Sequence, residues 1–205
     1  MPTALFQQLE DYITQLPKEE VAISPTRKLA LESLAQYIRS NSGTPVRLNF
    51  ICTHNSRRSH IAQIWAAVAA HYYGLRNVQT YSGGTEATAF NPRAVAALRR
   101  AGFQIETEGG ENPRYRVAFA EEHPPLVCFS KTVENPADPS ESFAAIMTCA
   151  HADENCPFII GAERRLRLPY DDPKVADNTP EEAGRYDERV RQIGSEIFFA
   201  MSRAR

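Results

Sequence analysis

Only four cysteines, one tryptophan and ten glycines occur in 205 residues. So few cysteines exclude a disulfide-built miniature fold, and a chain of this length buries about 70% of its unfolded surface without such staples. No apolar run reaches the ~18–20 residues that cross a bilayer, so no membrane association is expected. An excess of one charge is missing too. The 23 Lys+Arg and 25 Asp+Glu leave a net charge of −2, which argues against a nucleic-acid partner. The N-terminal stretch carries Glu10 and Asp11 and no basic residue ahead of its apolar positions, unlike a secretory leader. A cytoplasmic protein is therefore expected. In a reducing compartment, cysteines more often serve catalysis, redox chemistry or metal binding than structural disulfides.

What is present is ordinary for a globular chain, with 42% hydrophobic and 23% charged residues. Phe6, Leu9, Tyr12, Ile13 and Leu16 recur at helical spacing until Pro17. Ser24 is a candidate N-cap with Pro25 at the first helical position, and Leu31, Leu34, Ala35 and Ile38 form the stripe of a second helix. Two helices this short need another surface to cover their stripes, on the rest of the chain or on a partner. Val46, Leu48, Phe50 and Ile51 then read as a buried strand. A helix follows, from Ile61 to its stop at Gly74. A strand over residues 78–82 and a helix capped by Asn91-Pro92 come next. Strand–helix–strand–helix order predicts a parallel α/β sheet. Residues 115–120 and 126–130 suggest a hairpin, residues 143–148 and 165–168 two further strands, and Tyr186, Val190, Ile193, Ile197 and Met201 a last helix. No internal repeat or low-complexity segment is present. Residues 1–44 read as an N-terminal helical extension and residues 45–205 as the catalytic domain.

The densest chemistry is Cys52-Thr53-His54-Asn55-Ser56-Arg57-Arg58-Ser59, between a buried strand and a helix. Free backbone N–H groups and the helix dipole at such a junction bind an oxyanion and favour a thiolate at the loop's start. Arg58 offers a planar fork to two oxygens of a tetrahedral anion. Ser59 is placed to hydrogen-bond the Cys52 sulfur. Nucleophile, cradle and clamp thus lie within eight residues. The loop lacks the glycines and the Gly-Lys-Ser/Thr ending of a nucleotide-binding loop.

Cys149 and Cys156 are separated by six residues, a span whose folding can bring two sulfurs to the ~5.5–6 Å Cα spacing of a disulfide. A redox pair, two incidental thiols, or a zinc site of Cys149, His151 and Cys156 with a fourth ligand from elsewhere all fit these residues. Cys128, in Leu126-Val127-Cys128-Phe129, reads as a core residue. Asp171-Asp172-Pro173 stands between a candidate strand and the last helix.

Residues 50–59 resemble the nucleophile loop of the low-molecular-weight protein tyrosine phosphatases, a superfamily that includes the thioredoxin-coupled arsenate reductases. Residues 81–86 and 91–94 are similar to stretches after that family's second strand, and residues 148–157 resemble the reductases' redox loop. The resemblance spans most of residues 46–205 but not the extension or the middle segment. It implies a short parallel sheet flanked by helices. It also implies that Cys52 attacks arsenate held by Arg58 and by the loop formed by Thr53, His54, Asn55, Ser56, Arg57, Arg58 and Ser59. Asp172 matches the family's general acid, with Asp171 as the fallback. Cys149 and then Cys156 would carry the oxidation outward to an external thiol reductant such as thioredoxin, with no bound cofactor and no metal. The same Cys52, Arg58 and Asp172 also suit a phosphomonoesterase, although Lys174 and Val175 stand where phosphatases of the family usually carry an aromatic pair. A third reading is a non-enzymatic, anion-responsive redox sensor. One departure is His54, where the family usually has glycine; a positive φ there would cost conformational energy.

Overall fold

The computed structural model describes residues 4–155 and 158–205, so Cys156 lies outside the described residues. The chain opens with α1 (Gln7–Ile13), α2 (Leu16–Glu19), a 3-10 turn and α3 (Pro25–Ser40). Pro17 does not merely end the first helix; it sits in the first turn of α2, where its missing N–H costs nothing. Ser24 caps α3 as expected, its hydroxyl accepting from Arg27 N.

The strand β1 (Val46–Cys52) is followed by α4 (Arg58–Tyr73), β2 (Val78–Gly84) and α5 (Pro92–Arg100). Gly74 ends α4 in the left-handed conformation at φ 70°. The middle segment holds β3 (Gln104–Thr107), β4 (Tyr115–Ala118) and β5 (Leu126–Cys128). These form a separate antiparallel sheet in the order β3-β4-β5. The hairpin expected there is β4–β5, and β3 is an addition that four residues of mixed polarity did not announce. The chain returns through β6 (Phe143–Met147), α6 (Ala150–Asn155) and β7 (Ala162–Arg167), and ends in α7 (Glu182–Ser202). β7 begins three residues earlier than its apolar residues suggest. As an edge strand facing solvent, it admits Glu163, Arg164 and Arg165.

The main sheet is parallel, in the order β2-β1-β6-β7. The chain leaves β1 toward β2 on one side and returns with β6 on the other. The carboxyl ends of β1 and β6 therefore border the crevice where open α/β sheets bind ligands. The register sets Ile51 beside Met147, so Cys52 and Cys149 emerge from adjacent strand ends. Thr148 pins that junction, with both its N–H and its hydroxyl donating to the Ile51 carbonyl.

Leu9, Leu16, Leu31 and Leu34 of the N-terminal helices are fully buried in one core with Trp65, Tyr186 and Ile193. Each such side chain contributes about 2 kcal/mol of hydrophobic stabilisation. The stripes of these helices are therefore covered by the chain itself. Trp65 stacks on Tyr12 and meets Phe103 and Phe198 edge-on. That contact ties α1 to the helix carrying Arg58.

Candidate active site

Cys52 is the last residue of β1, and α4 starts at Arg58. The N-cap residue, Arg57, makes no side-chain cap there, and the first N–H groups of a helix are suited to face an anion. Ser59 Oγ lies 3.1 Å from Cys52 Sγ. Asn55 Nδ2 donates to Ser59 Oγ at 2.9 Å, which leaves the serine's own hydrogen to point at the sulfur. Asn55 is buried, and its Oδ1 accepts from Lys131 N at 3.0 Å. Asn55, at φ 43°, and not His54, takes the left-handed conformation in the loop, one that asparagine tolerates well. His54 instead points outward, with Nε2 3.5 Å from Glu86. Gly84 lies directly beneath the loop. A Cβ there would come within 2.7 Å of Asn55 N and Thr53 O.

The two arginines of the loop face the Asp-Pro segment. Arg58 Nη2 donates to Asp172 Oδ2 at 2.8 Å and Nη1 to the Tyr170 carbonyl at 3.0 Å. Its Nε is buried without a partner among the described residues, a donor suited to an oxyanion's oxygen. Arg57 Nε donates to the Tyr186 hydroxyl, which donates in turn to Asp177. Burial and Asp177 push the Tyr186 hydroxyl up to about 12, so it stays a donor. Asp172 also caps the 3-10 turn Pro173–Ala176, accepting from Lys174 N. The Asp171 side chain is 97% exposed, with Arg189 3.8 Å away. Of the two aspartates, Asp172 is the one that meets the loop.

Cys149 follows β6 and is 1% exposed. The Thr53 hydroxyl lies 3.5 Å from its sulfur, and Ala152 N donates to that sulfur at 3.4 Å. The same Thr53 hydroxyl is 3.2 Å from His151 Nδ1. Residues 150–155, read from sequence as loop, form the helix α6. Asp153 anchors this helix to β7 through Arg165 and Arg167. The described residues thus gather Cys52, Arg58, Ser59, Asp172 and Cys149 at one end of the sheet. No group of His, Cys, Asp or Glu among the described residues is arranged to hold a metal ion.

Behind the loop is a buried polar group that the sequence did not announce. Lys131 Nζ pairs with Asp138 at 3.2 Å and donates to the Ser82 carbonyl. Burial raises Asp138 to about 6, and Lys131 opposes that rise. His60, stacked on Phe90 with Nδ1 3.1 Å from Ser82 Oγ, is lowered to about 3 by burial and by Lys131. A lysine and an aspartate seven residues apart in an irregular stretch carry no motif, so only their meeting beneath the loop reveals them. Cys128 is buried, its thiol pushed up to about 12 by desolvation, as befits a core residue.

Residues 47–114 match the family model for low molecular weight phosphotyrosine protein phosphatase. An arsenate reductase from Bacillus licheniformis is 32% identical over 149 residues, 72% of this chain and 89% of that protein. An arsenate reductase from Bacillus subtilis is 30% identical over the same lengths. Among solved structures, a low molecular weight phosphotyrosine phosphatase from Vibrio cholerae superposes with a TM-score of 0.53 at 15% identity. That match covers 75% of this chain and 93% of the other, and it speaks for the fold alone. No described helix is long and apolar enough to cross a membrane.

Proposed function

This chain belongs to the low-molecular-weight phosphatase superfamily, in its arsenate reductase branch, and from that membership we propose that it reduces arsenate to arsenite through a three-thiol relay. The observation that carries the reading is the junction of two thiols. Cys149 lies at the strand end beside that of Cys52, and the residue after Cys52 touches its sulfur. Hydrolysis of a phosphoester needs one thiol; a two-electron reduction needs a second.

In the first step the Cys52 sulfur attacks arsenate cradled by the loop amides and Arg58. Asp172, which takes up a proton as the bound anion draws Arg58 from it, supplies that proton to the departing oxygen. Ser59, oriented by Asn55, stabilises the thiolate before attack. Cys149 then attacks the Cys52 sulfur. The S–S bond forms as the S–As bond breaks, and arsenic keeps the electron pair and leaves as arsenite. Cys156 attacks Cys149 and frees Cys52, leaving a Cys149–Cys156 disulfide. A thioredoxin-type dithiol protein, arriving from solution, reduces that disulfide. This reading needs no bound cofactor, and its setting is the cytoplasm.

A tyrosine phosphatase reading uses the same Cys52, Arg58 and Asp172. The residues after Asp172-Pro173 do not favour it, since Lys174 and the 81% exposed Val175 provide no aromatic wall. The test supplies arsenate, thioredoxin, thioredoxin reductase and NADPH, and follows NADPH oxidation. Wild type turns over, whereas Cys149→Ser and Cys156→Ser do not. Serine variants as fast as wild type rule out the relay. Aryl-phosphate hydrolysis that dies with Cys52→Ser, in a protein inert toward arsenate, establishes the phosphatase instead.

A further inference from the structure

The reaction requires Cys149 to be a thiolate at the moment it attacks, yet its side chain is almost wholly enclosed. At 1% exposure, its sulfur is shielded from bases in solution. Deprotonation needs an internal route, and the described contacts of the sulfur with polar groups are two. Ala152 N–H is a donor, which stabilises a thiolate but takes no proton. The Thr53 hydroxyl is the other, and it is shared with His151 Nδ1.

We propose that His151 accepts the Cys149 proton through the Thr53 hydroxyl, and so acts as the positioning residue that makes the second thiol of the relay a nucleophile. The inference rests on the relay reading. The three heavy atoms admit two proton arrangements without moving. In one, the thiol donates to Thr53 Oγ1 and the threonine hydroxyl donates to Nδ1. In the other, Nδ1–H donates to Thr53 Oγ1 and the threonine hydroxyl donates to the thiolate. Two short hops convert the first into the second. The threonine carries one hydrogen before and after, the sulfur loses one and the imidazole gains one. The resulting thiolate keeps two donors, Thr53 and Ala152 N–H.

Location favours the transfer. Thr53 directly follows Cys52, so the base is coupled to the second thiol through the loop that holds the first. His151 is exposed at the surface of α6, so the proton it takes can pass on to solvent while Cys149 stays shielded. An asparagine at 151 would preserve a hydrogen bond to Thr53 but hold no proton.

The test measures how fast iodoacetamide, which marks a thiolate with a thioether that no neighbouring thiol can exchange, alkylates Cys149, using mass spectrometry of the cysteine peptides with Cys52 as the comparison within each sample. This readout needs no arsenate. His151→Ala and Thr53→Val are expected to slow Cys149 labelling about tenfold or more. His151→Asn is expected to be as slow as His151→Ala, and added imidazole should restore the rate in His151→Gly. A role in shielding alone predicts the opposite sign, because removing the ring uncovers the thiol and speeds labelling. Unchanged or faster labelling in His151→Ala overturns the proposal, as does a failure of imidazole to rescue. If wild type fails to reduce arsenate while these labelling differences hold, the relay reading falls and the His151–Thr53–Cys149 coupling stands. If arsenate is reduced and labelling is indifferent to His151, the reverse is true.

Discussion

Asp172 reaches Arg58 through a 2.8 Å ion pair, so the candidate acid and the candidate anion clamp are already in contact. The arginine's second fork nitrogen holds the Tyr170 carbonyl. The loop bearing the acid is thereby fixed over the loop bearing the nucleophile. Asp172→Asn removes the proton donor while keeping the shape. It should lower kcat for arsenate roughly 10²-fold. Asp171→Asn, at a side chain facing solvent, should change kcat less than about fivefold. Steady-state kinetics on the two variants distinguishes them. Equal losses would place the acid elsewhere.

Lys131 and Asp138 form a buried pair beneath the loop, with side chains 6% and 0% exposed. Lys131→Met leaves a carboxylate without its partner and should cost about 3–5 kcal/mol of stability. The double variant Lys131→Met/Asp138→Leu should recover most of that loss, because no charge is then stranded. Urea unfolding of the two single variants and the double variant measures the coupling.

Gly84 has no room for a side chain. A Cβ would lie 2.4 Å from the Glu86 carbonyl and 2.7 Å from Asn55 N. Gly84→Ala must displace backbone on one side or the other. It is expected to lower the urea midpoint and slow Cys52 alkylation, whereas alanine at Gly184, where a Cβ meets nothing within 4 Å, should do neither.

Much of this arrangement is legible in the sequence. The strand, loop and helix around Cys52 follow from alternation, a polar break and a 3.6-residue stripe, and Asn91 and Ser24 cap the helices they were expected to cap. What is not legible depends on long-range packing. Asn55 earns its place by reaching Lys131 N, 76 residues away. Tyr186 reads as one apolar tooth of α7, yet its hydroxyl organises Arg57 and Asp177. β3 is too short and too polar to carry a strand signal of its own, since its pairing with β4 supplies what its composition does not.

His60 is neutral in the folded protein, lowered to about 3 by its burial, whereas in the unfolded chain it titrates near 6.5. Above about pH 6.5 its contribution to stability is complete. As pH falls from there toward 3, the unfolded state binds a proton that the folded state refuses, and stability declines by about 2 kcal/mol at pH 5. Asp138 acts with the opposite sign between 3.8 and about 6, because there the folded state holds the proton. Comparing His60→Gln with wild type at pH 7 and pH 5 isolates the histidine. The variant should show the shallower loss, and equal slopes would contradict the assignment.

The most direct test of the central claim uses Cys156→Ser, which can complete the arsenite-forming step but cannot resolve it. Reduced protein is mixed with arsenate, arsenite is quantified, and the cysteine peptides are mapped by mass spectrometry. The relay predicts about one arsenite released per chain, a Cys52–Cys149 disulfide, and no further turnover. Arsenite formed at the wild-type rate by Cys149→Ser, or a Cys156→Ser protein that releases arsenite without linking Cys52 to Cys149, would contradict it.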